Sequence, residues 1–126
     1  MSKFFSVDEA NAALLVIKPL MADIMRIRKN VIARQPEIWP VIQKAAGNGG
    51  SKVASLIALE FGQLDDCVHR IQDMGVIIKD LDIGLLDFPA LRNQHEVYLC
   101  WKFDEENILF WHEIDDGFAG RQPLRP

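Results

Sequence analysis

The sequence has little cysteine, little imbalance of charge and no long apolar run, and each shortage narrows what the chain can be. Cys67 and Cys100 are its only thiols, and they form neither a CxxC pair nor a metal-ligand spacing. They read as small core residues of a reducing compartment. A formal net charge of −4 leaves no basic field to displace counterions from phosphates, which argues against non-specific nucleic-acid binding. No stretch approaches the ~20 apolar residues that span a bilayer, so no membrane partner is expected. The early run AALLVI is short. It follows Asp8 and Glu9, where a leader would be positive, and no small-residue cleavage site comes after it. A cytoplasmic protein is expected.

What is present is ordinary globular material. The chain of 126 residues is 49% apolar and 25% charged, enough to close one sizeable core. One domain, 1–126, is therefore expected. Ser6-Val7-Asp8-Glu9 has the S-x-x-E form of a capping box, with Phe5 placed as a hydrophobic staple against Ala10. Ala10, Ala13, Ile17, Leu20, Ile24, Ile27 and Val31 then recur at spacings of three and four, which predicts a helix to about Arg34. Pro19 lies inside that pattern and should kink the helix without ending it. Arg26, Arg28, Lys29 and Arg34 gather near its end, where cations complement the helix dipole. Pro36 and Pro40 bracket Trp39, and Gly47-Asn48-Gly49-Gly50 forms a flexible connector. With Ser51 as N-cap, Ala54, Ile57, Phe61, Leu64, Val68 and Ile71 predict a second helix that Gly75 stops.

From Gly75 the period becomes that of strands. Val76–Ile78 opens one, Asp82-Ile83-Gly84 makes a turn, and Leu85–Phe88 forms another that Pro89 stops. Glu96–Phe103 and Ile108–Ile114 are the strongest strands, joined by a loop at Asp104–Asn107. The predicted fold is α+β. A long antiparallel helical hairpin (about 6–75) precedes a small antiparallel meander (about 76–114) and an irregular tail (115–126).

Two features predict self-association. Leu14, Met21, Met25 and Ile32 make a second apolar stripe on the first helix, and Val53, Leu56 and Met74 widen the second. The Glu96–Ile114 hairpin is apolar on both faces, with Val97, Leu99, Trp101 and Phe103 on one and Tyr98 and Cys100 on the other. A two-fold homodimer in which two hairpins form a four-helix bundle would cover both. A monomer with its sheet laid across the hairpin is the alternative.

The runs KDLDIGLLDFPA, EVYLCWKF and ILFWHEIDDGFAGRQP, with the opening FSVDEANAAL and the GNGG connector, resemble the family catalogued as domain of unknown function 2203. The resemblance covers nearly the whole chain. It implies a small cytoplasmic bacterial protein and assigns no activity, substrate or catalytic residue.

Candidate chemistry is confined to a few side chains. Asp80 and Asp82, two apart on a predicted strand, would project from one face; His112 and Asp116, four apart, would share a face if the last strand runs that far. With Asp87, these residues offer oxygen and imidazole ligands to a divalent metal. Against that, Asp80 and Asp82 border a turn where Asp caps amides, and a lone His beside Trp111 is often simply packed. His112-Glu113 is not a zincin motif, because no second His follows at helical spacing. GNGGSK lacks the order of a phosphate loop. Arg121, in GFAGRQP, is a candidate for anion binding, or for closing the sheet against the tail. Cys100 has no electropositive neighbour in sequence to activate it. The leading reading is a self-associating interaction or scaffold protein. The alternative is a small metal-binding protein or metal-dependent enzyme using the Asp/His group.

Overall fold

The computed structural model describes residues 3–33 and 52–124, with backbone alone at 52–54. The Gly47–Gly50 connector, the Ser51 cap and the side chain of Val53 lie outside the described residues. Helix α1 spans Val7–Ala33 and α2 spans Lys52–Asp73. Five strands follow: β1 Ile77–Asp80, β2 Leu85–Arg92, β3 His95–Lys102, β4 Phe110–Glu113 and β5 Gln122–Pro123. Each pairs antiparallel with its sequence neighbour, so the sheet is a simple meander. Among the described residues, no helix is long and apolar enough to cross a membrane.

The start of α1 is fixed as its sequence predicts. The Ser6 amide donates to Glu9 Oε1 at 2.9 Å and the Glu9 amide donates to Ser6 Oγ at 3.0 Å. These bonds also hold the Glu9 carboxyl below its ordinary value. Phe5, 4% exposed, meets Phe88 edge-on at 5.3 Å and ties the helix start to the sheet. Helix α1 continues unbroken through Pro19, which sits on its exposed side. Helix α2 ends at Gly75, whose φ of +90° suits a residue without a Cβ, and this end lies beside Lys3 and Phe5. The two helices therefore run antiparallel.

The α1 residues that pack inward are Ala10, Leu14, Ile17, Leu20, Met21, Ile24 and Ile27. Leu14 and Met21, expected to face a second copy, are buried in the chain's own core with Leu86, Phe88, Val97, Leu99 and Trp101. Met25 and Met74 pack at the edge of that core, whereas Ile32 and Leu56 are exposed. The sheet lies across the hairpin and uses most of the extra stripe.

Strand β2 does not stop at Pro89 as expected but continues to Arg92. The Pro89 carbonyl accepts the Phe5 amide at 2.7 Å, so the backbone polar side of this residue faces away from β3. β1 pairs with β2 only from Leu85 to Asp87, so at Pro89 this side is an open edge, where a missing N–H costs no ladder bond. Beyond it, Asn93 and Gln94 link β2 to β3 with φ of 54° and 64°, the two positive values of a type I′ hairpin. The tail adds a 3₁₀ turn, Phe118–Gly120, and the unexpected two-residue β5.

The second face of the sheet is also covered from within the chain. Tyr98, Cys100, Phe110 and His112 share it with Asp87, as the pairings Asp87↔Cys100, Cys100↔Phe110 and Tyr98↔His112 require. The tail folds back so that the Arg121 guanidinium lies 3.9 Å from the Phe110 ring and 4.6 Å from Phe118. The apolar character of both hairpin faces therefore needs no partner to explain it.

Candidate metal centre

Three neighbouring strands each contribute one candidate ligand to that second face. Asp87 comes from the first half of β2, Cys100 from β3 and His112 from β4. Strands two apart in a sheet are about 9.6 Å apart. The small Cys100 on the strand between leaves room for Asp87 and His112 to reach each other above it. His112 Nε2 lies 2.9 Å from Asp87 Oδ1, and both residues are buried, at 2% and 0% exposure. Cys100 is also 0% exposed, and the ligand atoms of the three lie within 4.8 Å of one another.

The hydrogen bonds place one proton on the imidazole. His112 Nδ1 lies 2.7 Å from the Glu113 carbonyl oxygen, which can only accept, so Nδ1 carries a proton and donates it. Nε2 and Asp87 Oδ1 then hold a single proton between them. Either an imidazolium donates to a carboxylate or a carboxylic acid donates to a neutral ring. Burial pushes the Asp87 carboxyl above its ordinary value, and the His112 contact opposes that only in part. Asp87 Oδ2 is buried without a hydrogen-bond partner, an exception in a folded interior. Burial also pushes the Cys100 thiol up to about 12, despite nearby Arg121. Without a cation it is an inert thiol rather than a nucleophile.

The five acidic and imidazole candidates divide cleanly. Asp87 and His112 come together. Asp80, Asp82 and Asp116 stay exposed and apart from them. Strand β1 ends at Asp80, so Asp82 lies in the turn that follows and no strand alternation aligns the two. Asp80 Oδ1 instead accepts the Asp82 amide at 2.8 Å, and Asp82 pairs with Arg28. The Asp116 amide donates to the Glu113 carbonyl in the turn after β4. Arg121 takes the closing role: its Nη2 donates to both Glu105 oxygens, at 2.6 and 2.8 Å. Glu105 Oε1 also accepts the Lys102 amide at 2.8 Å, which anchors the tail to the end of β3. Cys100 is the member that sequence reasoning missed. Its one available signal was parity, since Tyr98 and Cys100 share a strand face.

The clefts elsewhere on the molecule are lined by other residues. One lies at the start of α1, between Phe5, Val7, Leu91, Arg92 and Trp111. Another lies between the helices, at Asp23, Arg26, Gln63 and Arg70. The second also holds Asp66 and Cys67, but burial and the neighbouring Asp23 and Asp66 carboxylates push the Cys67 thiol up, away from the thiolate a nucleophile needs.

A family model described as an uncharacterized conserved protein, DUF2203, matches residues 3–124. No curated protein and no solved structure matches the chain.

Proposed function

This chain belongs to the DUF2203 family of uncharacterised conserved proteins, and we propose that it binds one divalent cation of zinc type through Asp87, Cys100 and His112. The observation that carries the reading is the buried trio itself, with its orphaned carboxylate oxygen. Charge balance supports it. Without metal, a neutral thiol and one shared proton leave the trio uncharged. With a divalent cation, a thiolate, a carboxylate and a neutral imidazole again sum to zero. The exchange of two protons for one ion leaves no net charge in the interior, where an uncompensated charge is costly.

The mixed ligand set narrows the ion. A thiolate with an imidazole and a carboxylate suits Zn²⁺ and poorly suits Mg²⁺ or Ca²⁺, which take oxygen ligands. The His112 Nδ1–H to Glu113 carbonyl bond is the outer contact that orients a metal-binding imidazole and leaves Nε2 for the ion. Because all three ligands are buried, the ion would serve binding and cohesion of the sheet rather than reaction with a substrate. Two free buried cysteines fit a reducing cytoplasm, which we propose as its location.

The test is elemental analysis of protein purified without a metal-affinity tag, followed by replacement of the ion with Co²⁺. One equivalent of metal and a thiolate-to-cobalt charge-transfer band, lost in Cys100→Ser, are expected. Protein that neither carries metal nor takes up cobalt with that band would end the proposal.

A further inference from the structure

The outer face of α1 is apolar where a solvated helix face should be polar. Opposite the fully buried Ile17 and Ile24, one line of exposed residues runs Asp8, Ala12, Leu15, Pro19, Ala22 and Arg26. Their spacings of four, three, four, three and four keep them on a single stripe. Leu15, at its middle, is 79% exposed. Unlike the Leu14 and Met21 stripe, it is left open among the described residues, apart from Arg26, which also borders the cleft towards α2.

We propose that this face pairs with the same face of a second copy, antiparallel about a two-fold axis beside Ile17. The order of the residues favours this pairing. A two-fold interface must be complementary to itself. With the axis beside position 17, Asp8 lies opposite the partner's Arg26, Ala12 opposite the partner's Ala22, and Leu15 opposite the partner's Pro19. The stripe is palindromic in size and complementary in charge. A parallel pairing would set Asp8 against Asp8 and Arg26 against Arg26, which repel. The alanines let the helices approach closely, since interaxial distance follows the side chains at the contact. Arg26 meets Asp23 only at 3.5 Å with both side chains more than half exposed, so its guanidinium is available to a second acid. This pairing is independent of the cation site, which lies on the far side of the sheet from α1.

Light scattering coupled to size-exclusion chromatography of the full chain should give twice the 14.3 kDa chain mass at high concentration, falling on dilution. Leu15→Glu should weaken the dimer at least tenfold with unchanged circular dichroism, because the side chain is exposed among the described residues. Orientation is read by cross-linking. Under mild oxidation, Ala12→Cys chains mixed with Ala22→Cys chains should form a disulfide dimer. Neither alone should do so, since like positions lie about 15 Å apart along the antiparallel pair. The native thiols are buried and silent. A monomeric mass at every concentration overturns the proposal. So does a dimer that survives Leu15→Glu, or one in which Ala12→Cys cross-links to itself.

Discussion

Asp87→Asn separates metal binding from packing at the buried site. Asparagine keeps the shape, and its amide nitrogen can donate to His112 Nε2 across the same 2.9 Å, with no shared proton needed. Its carbonyl takes the place of the orphaned Oδ2, at no more cost than the carboxyl oxygen it replaces. The metal-free variant should therefore lie within about 1 kcal/mol of the wild type. Zinc should then divide the two. At free zinc one hundred times its Kd, the wild type gains about 2.7 kcal/mol through mass action. In a domain of this size that amounts to a rise of roughly 10 °C in Tm. The amide is a poor zinc ligand, so the variant should gain little of this. His112→Ala should behave differently, because it leaves Asp87 buried without its hydrogen bond and costs about 3–5 kcal/mol with or without metal. The assay is thermal unfolding of tag-free protein, titrated with zinc and reversed with chelator. An equal zinc shift in wild type and Asp87→Asn, or none in either, would refute the reasoning.

Other perturbations test the rest of the structure. In the metal-free protein, Cys100 keeps its proton up to about pH 12 when folded, whereas the unfolded thiol releases it from about 9. Stability should thus fall by about 1.4 kcal/mol per pH unit across that window, and denaturant titrations should show a shallower fall in Cys100→Ala. Gly84→Ala should cost about 1–3 kcal/mol in urea unfolding, since φ is +68° and a new Cβ would meet Phe103 Cβ at 2.6 Å. Gln94→Gly should stabilise by about 1 kcal/mol by removing a side chain from a left-handed position. Arg121→Lys should cost about 1–3 kcal/mol and speed proteolysis beyond Glu113, because lysine has no planar guanidinium to stack on Phe110 while donating to Glu105.

Much of the fold is legible because local signals agree. The capping box, the three-four spacing of α1 and the Gly75 stop are short-range features, and each lies where its chemistry places it. What the sequence hides is which element covers which face. Leu14 and Met21 are plainly apolar, but their spacing cannot say whether a second copy or the chain's own sheet buries them. Pro89 misleads for a similar reason. It breaks a strand only where its nitrogen faces a neighbour, and here that side is open. Ending β2 at Pro89 also puts Asp87 near a strand end and conceals the register set by Asn93 and Gln94. With that register in place, Asp87, Cys100 and His112 fall on one face. Asp80 and Asp82 fail for the converse reason, since β1 ends at Asp80 and Asp82 falls in the turn beyond it.

The neighbour-to-neighbour order of the strands bears on how the molecule assembles in time. Each hairpin closes a short loop, so the loop-entropy barrier for β2, β3 and β4 is small and the meander can form early. The contact of Phe5 with Phe88, and with it the docking of α1, joins residues far apart in sequence and must come late. The two faces of one sheet then mature in sequence. Asp87, Cys100 and His112 can meet while the opposite face still waits for its helix, so this buried trio can form before the core closes.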